Sequence, residues 1–202
     1  MRKKLQVLPI ILSFFIAFTF KSYAQVSVGL QAGLAHADRG NVKNLANAGL
    51  NLRIHVSPHL AFGAAAKVYG GGKDYGTGTD KYDLINVTIP LTGTVDYYLS
   101  TGAVRPYIGA DAGVYISKYQ AEQNKNTIYE SPTYKNFGAA PRAGIIFALG
   151  NVGLQLEGIY HLTFKNNDHL LTTGNLSNVN FKSSSRVLGI NVGLIIGLGR
   201  KK

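Results

Sequence analysis

From residue 26 onward the chain alternates apolar residues with polar or small ones, in run after run. Between 46 and 56, Ala46, Ala48, Leu50, Leu52, Ile54 and Val56 share one parity, and Asn47, Gly49, Asn51, Arg53 and His55 share the other. A β-strand sends alternate side chains to opposite faces, whereas a helix would mix the two sets. The same split recurs over 26–34, 60–68, 87–99, 108–116, 143–149, 154–162 and 188–198, which makes eight runs. The pattern therefore predicts eight strands, each near the ~9–11 residues that cross a bilayer at a tilt.

The gaps between runs alternate short and long. Ser57-Pro58-His59, the stretch 100–105 and Gly150-Asn151 are short, while 37–45, 70–81, 117–140 and 165–185 are long and rich in Gly, Asn, Asp, Lys, Ser and Thr. Tight turns at one end and long loops at the other predict an all-β, antiparallel up-and-down transmembrane barrel, with the turns periplasmic. A two-residue turn at Gly150-Asn151 sets Leu149 opposite Val152, Phe147 opposite Leu154 and Ile145 opposite Leu156. All three pairs are apolar, and a slip of one residue would turn one apolar face inward. The turn at 57–59 likewise sets Ile54 against Phe62. Pro58 falls in a turn, Pro132 in a loop, and Pro106 and Pro141 are expected to open strands. Pro90 sits inside a run, and a closed barrel has no edge to hide it, so a bulge or a missing ladder bond is expected there.

The N-terminus decides which face meets lipid. Arg2, Lys3 and Lys4 precede an apolar stretch from Leu5 to Phe20, and Ser22-Tyr23-Ala24 is a small-x-small site. Residues 1–24 thus read as a cleaved signal peptide, shorter than a spanning helix. The domain expectation is a signal peptide over 1–24 and a barrel over 25–202. A soluble barrel with its apolar face inward would show the same alternation. Export, asymmetric gap lengths and a small, glycine-rich polar parity favour the membrane. Glycines at 29, 33, 49, 63, 109, 113, 144, 189, 193 and 197 suit the narrow lumen of eight strands. Of the aromatics near run ends, Tyr97 and Tyr160 share the lipid-facing parity.

Cysteine is absent, so no disulfide framework supports this exported chain. The net charge of +11 falls to +7 once Arg2, Lys3, Lys4 and Lys21 leave with the signal peptide. The basic residues that remain lie mostly in or beside the long loops: Arg39, Lys43, Lys73, Lys81, Lys118, Lys125, Lys135, Lys165, Lys182 and Arg186. They would face lipopolysaccharide phosphates or water, and nucleic acid is not an expected partner.

The inward parity carries Arg53, Lys67, Asp96, Asp111, Arg142, Glu157 and His161. Charges in a narrow lumen must pair. The register set by Gly150-Asn151 makes Glu157 and His161 the inward diagonal neighbours of Arg142, which predicts an Arg142–Glu157 ion pair with His161 adjacent. This network is read as structural filling or as a gate on a small conductance. The five histidines lack ligand spacing, so no metal is expected, and Gly70-Gly71-Gly72 has no following helix or Lys-Ser/Thr to make a phosphate loop.

The segment Arg105-Pro-Tyr-Ile-Gly-Ala-Asp-Ala-Gly113 resembles the RPYxGxGxG strand, and Asn86-Val-Thr-Ile-Pro-Leu91 the xIPL strand, of small eight-stranded outer-membrane barrels of Gram-negative bacteria. The whole mature chain resembles this OmpA/OmpX/OmpW-like kind. The resemblance implies a monomer in the cell outer membrane, surrounded by outer-membrane lipids and lipopolysaccharide and inserted by the barrel assembly machinery. It implies no cofactor and a structural or surface-interaction role through long extracellular loops. A narrow channel for small or apolar solutes, as in OmpW-like relatives, is the alternative. Lipid A deacylases share the architecture and use His-x-Ser with a Glu. Here His161-Leu-Thr163 and Glu157 have Thr for Ser and point inward, and Ser57 of His55-Val-Ser57 falls in a periplasmic turn, so no enzyme is expected. The sequence given ends Gly199-Arg-Lys-Lys202, without the terminal aromatic residue usual for assembly recognition.

Overall fold

The computed structural model describes residues 25–75, 81–123, 126–165, 169–171, 179–181 and 184–198. The expected signal peptide lies outside them. Eight long antiparallel strands close into one ring: β1 (Gln25–Ala37), β2 (Asn44–His55), β3 (Leu60–Tyr75), β4 (Tyr82–Tyr98), β5 (Val104–Gln123), β7 (Tyr134–Leu149), β8 (Val152–Thr163) and β11 (Arg186–Ile196). Each pairs with its neighbour in sequence, and β11 returns to β1. A short β6 (Asn126–Glu130) hangs on the upper end of β5, and β9 (His169–Leu171) pairs with β10 (Val179–Phe181).

The sheet is inverted relative to a soluble barrel. Val28, Leu30, Leu34, Leu50, Phe62 and Ile190 point outward and are exposed, Leu34 by 73% and Ile190 by 63%. Ser27, Gln31, Asn47, Asn51, Arg53 and Asn191 point inward and are buried. A wholly solvated surface would carry its apolar residues inside; this one exposes a continuous apolar belt, which only a lipid environment accommodates without penalty. Closure leaves the eight-strand ring no unpaired edge within that belt.

The expected registers are present. Leu149 faces Val152, Phe147 faces Leu154 and Ile145 faces Leu156, with Gly150 in the left-handed region at φ 74°. Ile54 faces Phe62.

Three sequence expectations need correction. The strands exceed the expected length: β3, β4, β5 and β7 run 16 to 20 residues, against 11 to 13 for β1, β2, β8 and β11. Parts of 70–81 and 117–140, expected as loops, continue as paired strands. The longer strands raise one side of the wall by several residues, at ~3.3 Å for each. Apolar alternation fades there because that stretch stands clear of the apolar belt, where no single face must be apolar. Pro141 does not open a strand but lies in the middle of β7, where pairing to β8 skips from Ala139–Leu162 to Arg142–Ile159. Pro90 behaves in the same way: pairing to β3 skips from Ala66–Leu91 to Tyr69–Thr88 without a change of register, so the expected missing ladder bond occurs and no bulge does.

The third correction concerns Leu198. Its parity assigned it to the lipid face, yet it is buried and packs with Ala61, Tyr98, Tyr107, Ile146 and Ile195. The reason is Gly197, with φ at 96°, which ends β11 and swings the chain beneath the lumen. A Cβ at Gly197 would lie 2.3 Å from the Val26 carbonyl oxygen. Gly197→Ala is therefore expected to lose about 1–3 kcal/mol through backbone strain and displacement of this apolar floor. A urea titration of the refolded protein in micelles checks it; an unchanged midpoint would contradict the account.

Candidate functional site in the barrel interior

The lumen is filled in three tiers. The lowest is the apolar floor just described, held from below at residues 197–198: the Gln25 side-chain amide donates to the Gly197 carbonyl, and Arg105 Nη1 donates to the Leu198 carbonyl at 3.3 Å.

The middle tier is an ion network. Arg142 on β7 reaches Asp96 Oδ1 of β4 at 2.7 Å through Nη2, Asp111 Oδ1 of β5 at 2.6 Å through Nε, and Glu157 Oε2 of β8 at 3.0 Å through Nη1. The contacts to Asp96 and Asp111 are close ion pairs rather than well-directed hydrogen bonds. Arg53 Nε on β2 donates to Asp96 Oδ2 at 2.8 Å. Lys67 Nζ on β3 lies 3.3 Å from Glu157 Oε1 and 3.8 Å from Asp111 Oδ2. Three cations thus face three carboxylates from six different strands. Glu157 also accepts from the Tyr107 hydroxyl at 2.8 Å, Asn191 Nδ2 at 3.1 Å and Gln155 Nε2 at 3.2 Å. A buried ion set is tolerable only when lone pairs and protons are met in this way.

Inward glycines make the room. Gly29 faces Asn51, Gly49 faces Lys67, and Gly109 faces both Asp96 and Arg142 in register. A Cβ at Gly49 would lie 2.6 Å from Lys67 Cγ, and one at Gly109 would lie 2.3 Å from Asp96 Oδ1. Each long polar side chain lies over the bare backbone of its neighbour, so small and large residues alternate around the lumen as in other filled small barrels.

The upper tier is His161. Its Nδ1 is hydrogen-bonded to the Tyr115 hydroxyl at 2.9 Å and its Nε2 to the Tyr69 hydroxyl at 2.7 Å. One hydroxyl donates and the other accepts, whichever nitrogen carries the proton. Both rings meet the imidazole edge-on. Above them a pocket of about 590 Å³, counted with the solvent at its mouth, opens toward the long loops.

All six residues singled out from the sequence point into the lumen and are buried: Arg53, Asp96, Asp111, Arg142, Glu157 and His161. The structure joins the first five, with Lys67, in one network and forms the expected Arg142–Glu157 pair. His161 stands apart, one tier higher, with tyrosine partners instead of charged ones. Tyr107, Gln155 and Asn191, partners of Glu157, were not singled out as site residues; their inward parity was the available signal. Thr163 gains no base from His161, whose two nitrogens are both engaged. No group of three or more potential metal ligands occurs among the described residues.

Outside the membrane belt, Lys81 pairs with Asp74 at 3.1 Å and Lys118 with Glu130. These bonds hold both carboxyls below their ordinary range. Being exposed, they add little to stability. Tyr97 and Tyr160 do face outward, whereas Tyr69, Tyr107 and Tyr115 are interior.

No protein-family model matches the chain, and no curated protein matches it. Solved structures do. Neisserial surface protein A aligns at TM-score 0.51 with 15% identity, over 85% of this chain and 95% of that one. The outer-membrane protein OprG of Pseudomonas aeruginosa aligns at 0.57 with 14% identity, over 88% and 99%. A major outer-membrane protein of Thermus thermophilus aligns at 0.58 with 13% identity, over 86% and 98%. With a closed ring of eight strands, an apolar exterior and these structural likenesses, the chain is a small β-barrel of the outer-membrane type.

Proposed function

We propose that the protein is an integral outer-membrane barrel that works through its extracellular face, in a structural or surface-interaction role, rather than as a conduit. The observation that carries this reading is the filled lumen: the Arg142 network bridges the barrel from β2 to β8, above an apolar floor of Tyr98, Tyr107, Ile146, Ile195 and Leu198. A solute crossing it must separate buried ion pairs, at several kcal/mol for each charge left alone. The four strands that rise beyond the others put their mass on the outer side, where partners meet the protein.

The basic rim supports contact with lipopolysaccharide. Lys135 points outward, directly opposite Ile116, and Lys118, two residues beyond Ile116 on β5, also points outward but is paired with Glu130. Phe137 and Phe164, exposed by 66% and 73%, lie just below them. Cations above an apolar belt suit phosphates at a lipid headgroup level. Lys125 and Lys182 lie outside the described residues.

The narrow-channel reading has one observation in its favour: Gln31, Asn47, Asn51 and Arg53 keep buried polar atoms without protein partners along β1 and β2. Such groups hold water. Planar-bilayer recording decides between the readings. The expected trace shows no unitary steps above baseline, and defined steps would establish the channel instead.

A further inference from the structure

The lipid-facing side of β11, β1, β2 and β3 is recessed near the upper ends of these strands. Ile190, Leu34, Ala46 and Gly70 form one outward rung, and Leu188, His36 and Asn44 form the rung above it. The lower rung steps from two large, exposed side chains down to an alanine and a glycine. A Cβ added at Gly70 would meet nothing within 4 Å. The result is a groove of about 650 Å³, open toward the surrounding lipid and within the ~300–1,000 Å³ range of small-molecule sites.

The groove is apolar below and polar at its upper end. Among the described lining residues, His36 and Asn44 alone carry polar side chains. They are bonded to each other at 3.0 Å, with the Asn44 oxygen accepting from His36 Nδ1, which leaves the Asn44 Nδ2 protons to donate outward. Above this end the β1–β2 connection carries Arg39 and Lys43, and β11 opens on Arg186, all three exposed. The same segments hold one carboxylate, Asp38, which already accepts from Ser184 Oγ at 2.6 Å. Anions are therefore favoured there. Within a bilayer, apolar contact alone gains nothing over lipid, so selectivity comes from close packing on small residues and from charge. A flexible chain conforms to such a recess, whereas a second rigid barrel would have to bring a matching ridge. We propose that this groove seats one acyl chain of lipid A, the chain lying over Ala46 and Gly70 against Leu34 and Ile190, with a phosphate of the same molecule at the Asn44 end beneath Lys43. This rests on the reading of the protein as a barrel that meets lipopolysaccharide at its outer face, and it assigns that contact a place on the wall.

The test is native mass spectrometry of the refolded full-length barrel, released from micelles containing lipid A or dimyristoyl phosphatidylglycerol. A single lipid A is expected to stay bound, at about tenfold lower lipid concentration than phosphatidylglycerol requires. Gly70→Leu fills the recess and is expected to weaken retention about tenfold through lost packing. Lys43→Gln is expected to weaken it about fivefold, the effect of one basic residue at an anionic surface. Gly93→Leu is the control: Gly93 also faces outward, an added Cβ there meets nothing closer than 3.9 Å, and retention is expected to be unchanged. Each variant is first shown to keep the folded gel mobility of the parent. No retained lipid, equal retention of phosphatidylglycerol, a barrel dimer that Gly70→Leu dissociates, or indifference to Gly70→Leu or to Lys43→Gln overturns the proposal. Conductance is recorded on the same preparations; unitary steps would sink the reading of a closed lumen and leave lipid retention to be judged by itself.

Discussion

Arg142→Met is expected to destabilise the barrel by about 3–5 kcal/mol, the cost of leaving buried carboxylates without their cation. Among the described residues, Arg142 alone touches all three carboxylates, Asp96, Asp111 and Glu157. Without it, three anions share Arg53 and Lys67. Removing Glu157 at the same time, as Arg142→Met with Glu157→Leu, restores two cations to two anions and is expected to recover part of the loss. Urea midpoints of the refolded proteins, with gel mobility before and after boiling, read both effects. If the single variant equals the parent, or the double variant is worse than the single, the network does not carry the stability assigned to it.

Gly109→Val is expected to be comparably severe. The new Cβ would stand 2.3 Å from Asp96 Oδ1, 2.8 Å from the Val95 carbonyl and 3.3 Å from Arg142 Nε. The Val95 carbonyl belongs to the ladder and cannot retreat, so Asp96 must move and release Arg53 and Arg142 together. Overpacking alone costs about 1–3 kcal/mol, and the broken ion pairs add to it. The expected outcome is a large fall in refolding yield, seen as loss of the unboiled compact band. Gly158→Val, at a glycine where an added Cβ meets nothing closer than 3.9 Å, is the matched control and is expected to fold normally.

Much of the architecture was legible because the membrane writes a two-residue period into each strand. Leu50 and Leu52 against Asn51 and Arg53 gave orientation, and the two-residue turn at Gly150-Asn151 gave the β7–β8 register, from which the Arg142–Glu157 pair followed. Contacts across the lumen left no such mark. Lys67 meets Glu157, and Tyr69 meets His161, at separations of 90 and 92 residues, set by the diameter of the ring and not by any turn. Leu198 was misassigned because parity assumes an unbroken strand, and one glycine in the left-handed region ends that assumption. Above the belt the alternation weakened, and the upper ends of β3, β4, β5 and β7 resembled loops.

The distribution of charge among the hairpins bears on how the barrel assembles. The β2–β3 hairpin carries two cations, Arg53 and Lys67; the β4–β5 hairpin carries two anions, Asp96 and Asp111; the β7–β8 hairpin carries one of each, Arg142 and Glu157. The first two hairpins are therefore self-repelling when alone and attract each other when side by side. The third locks them: Arg142 reaches Asp96 across the single intervening strand β5, while the Glu157 bond to Lys67 spans the lumen and exists only once the ring is shut. Leaving out the β2–β3 or the β4–β5 hairpin leaves like charges unbalanced in a low-dielectric space, which ties these two hairpins to each other during closure. The ionic belt thus acts as a check on pairing: the cationic β2–β3 hairpin and the anionic β4–β5 hairpin are each satisfied only beside the other.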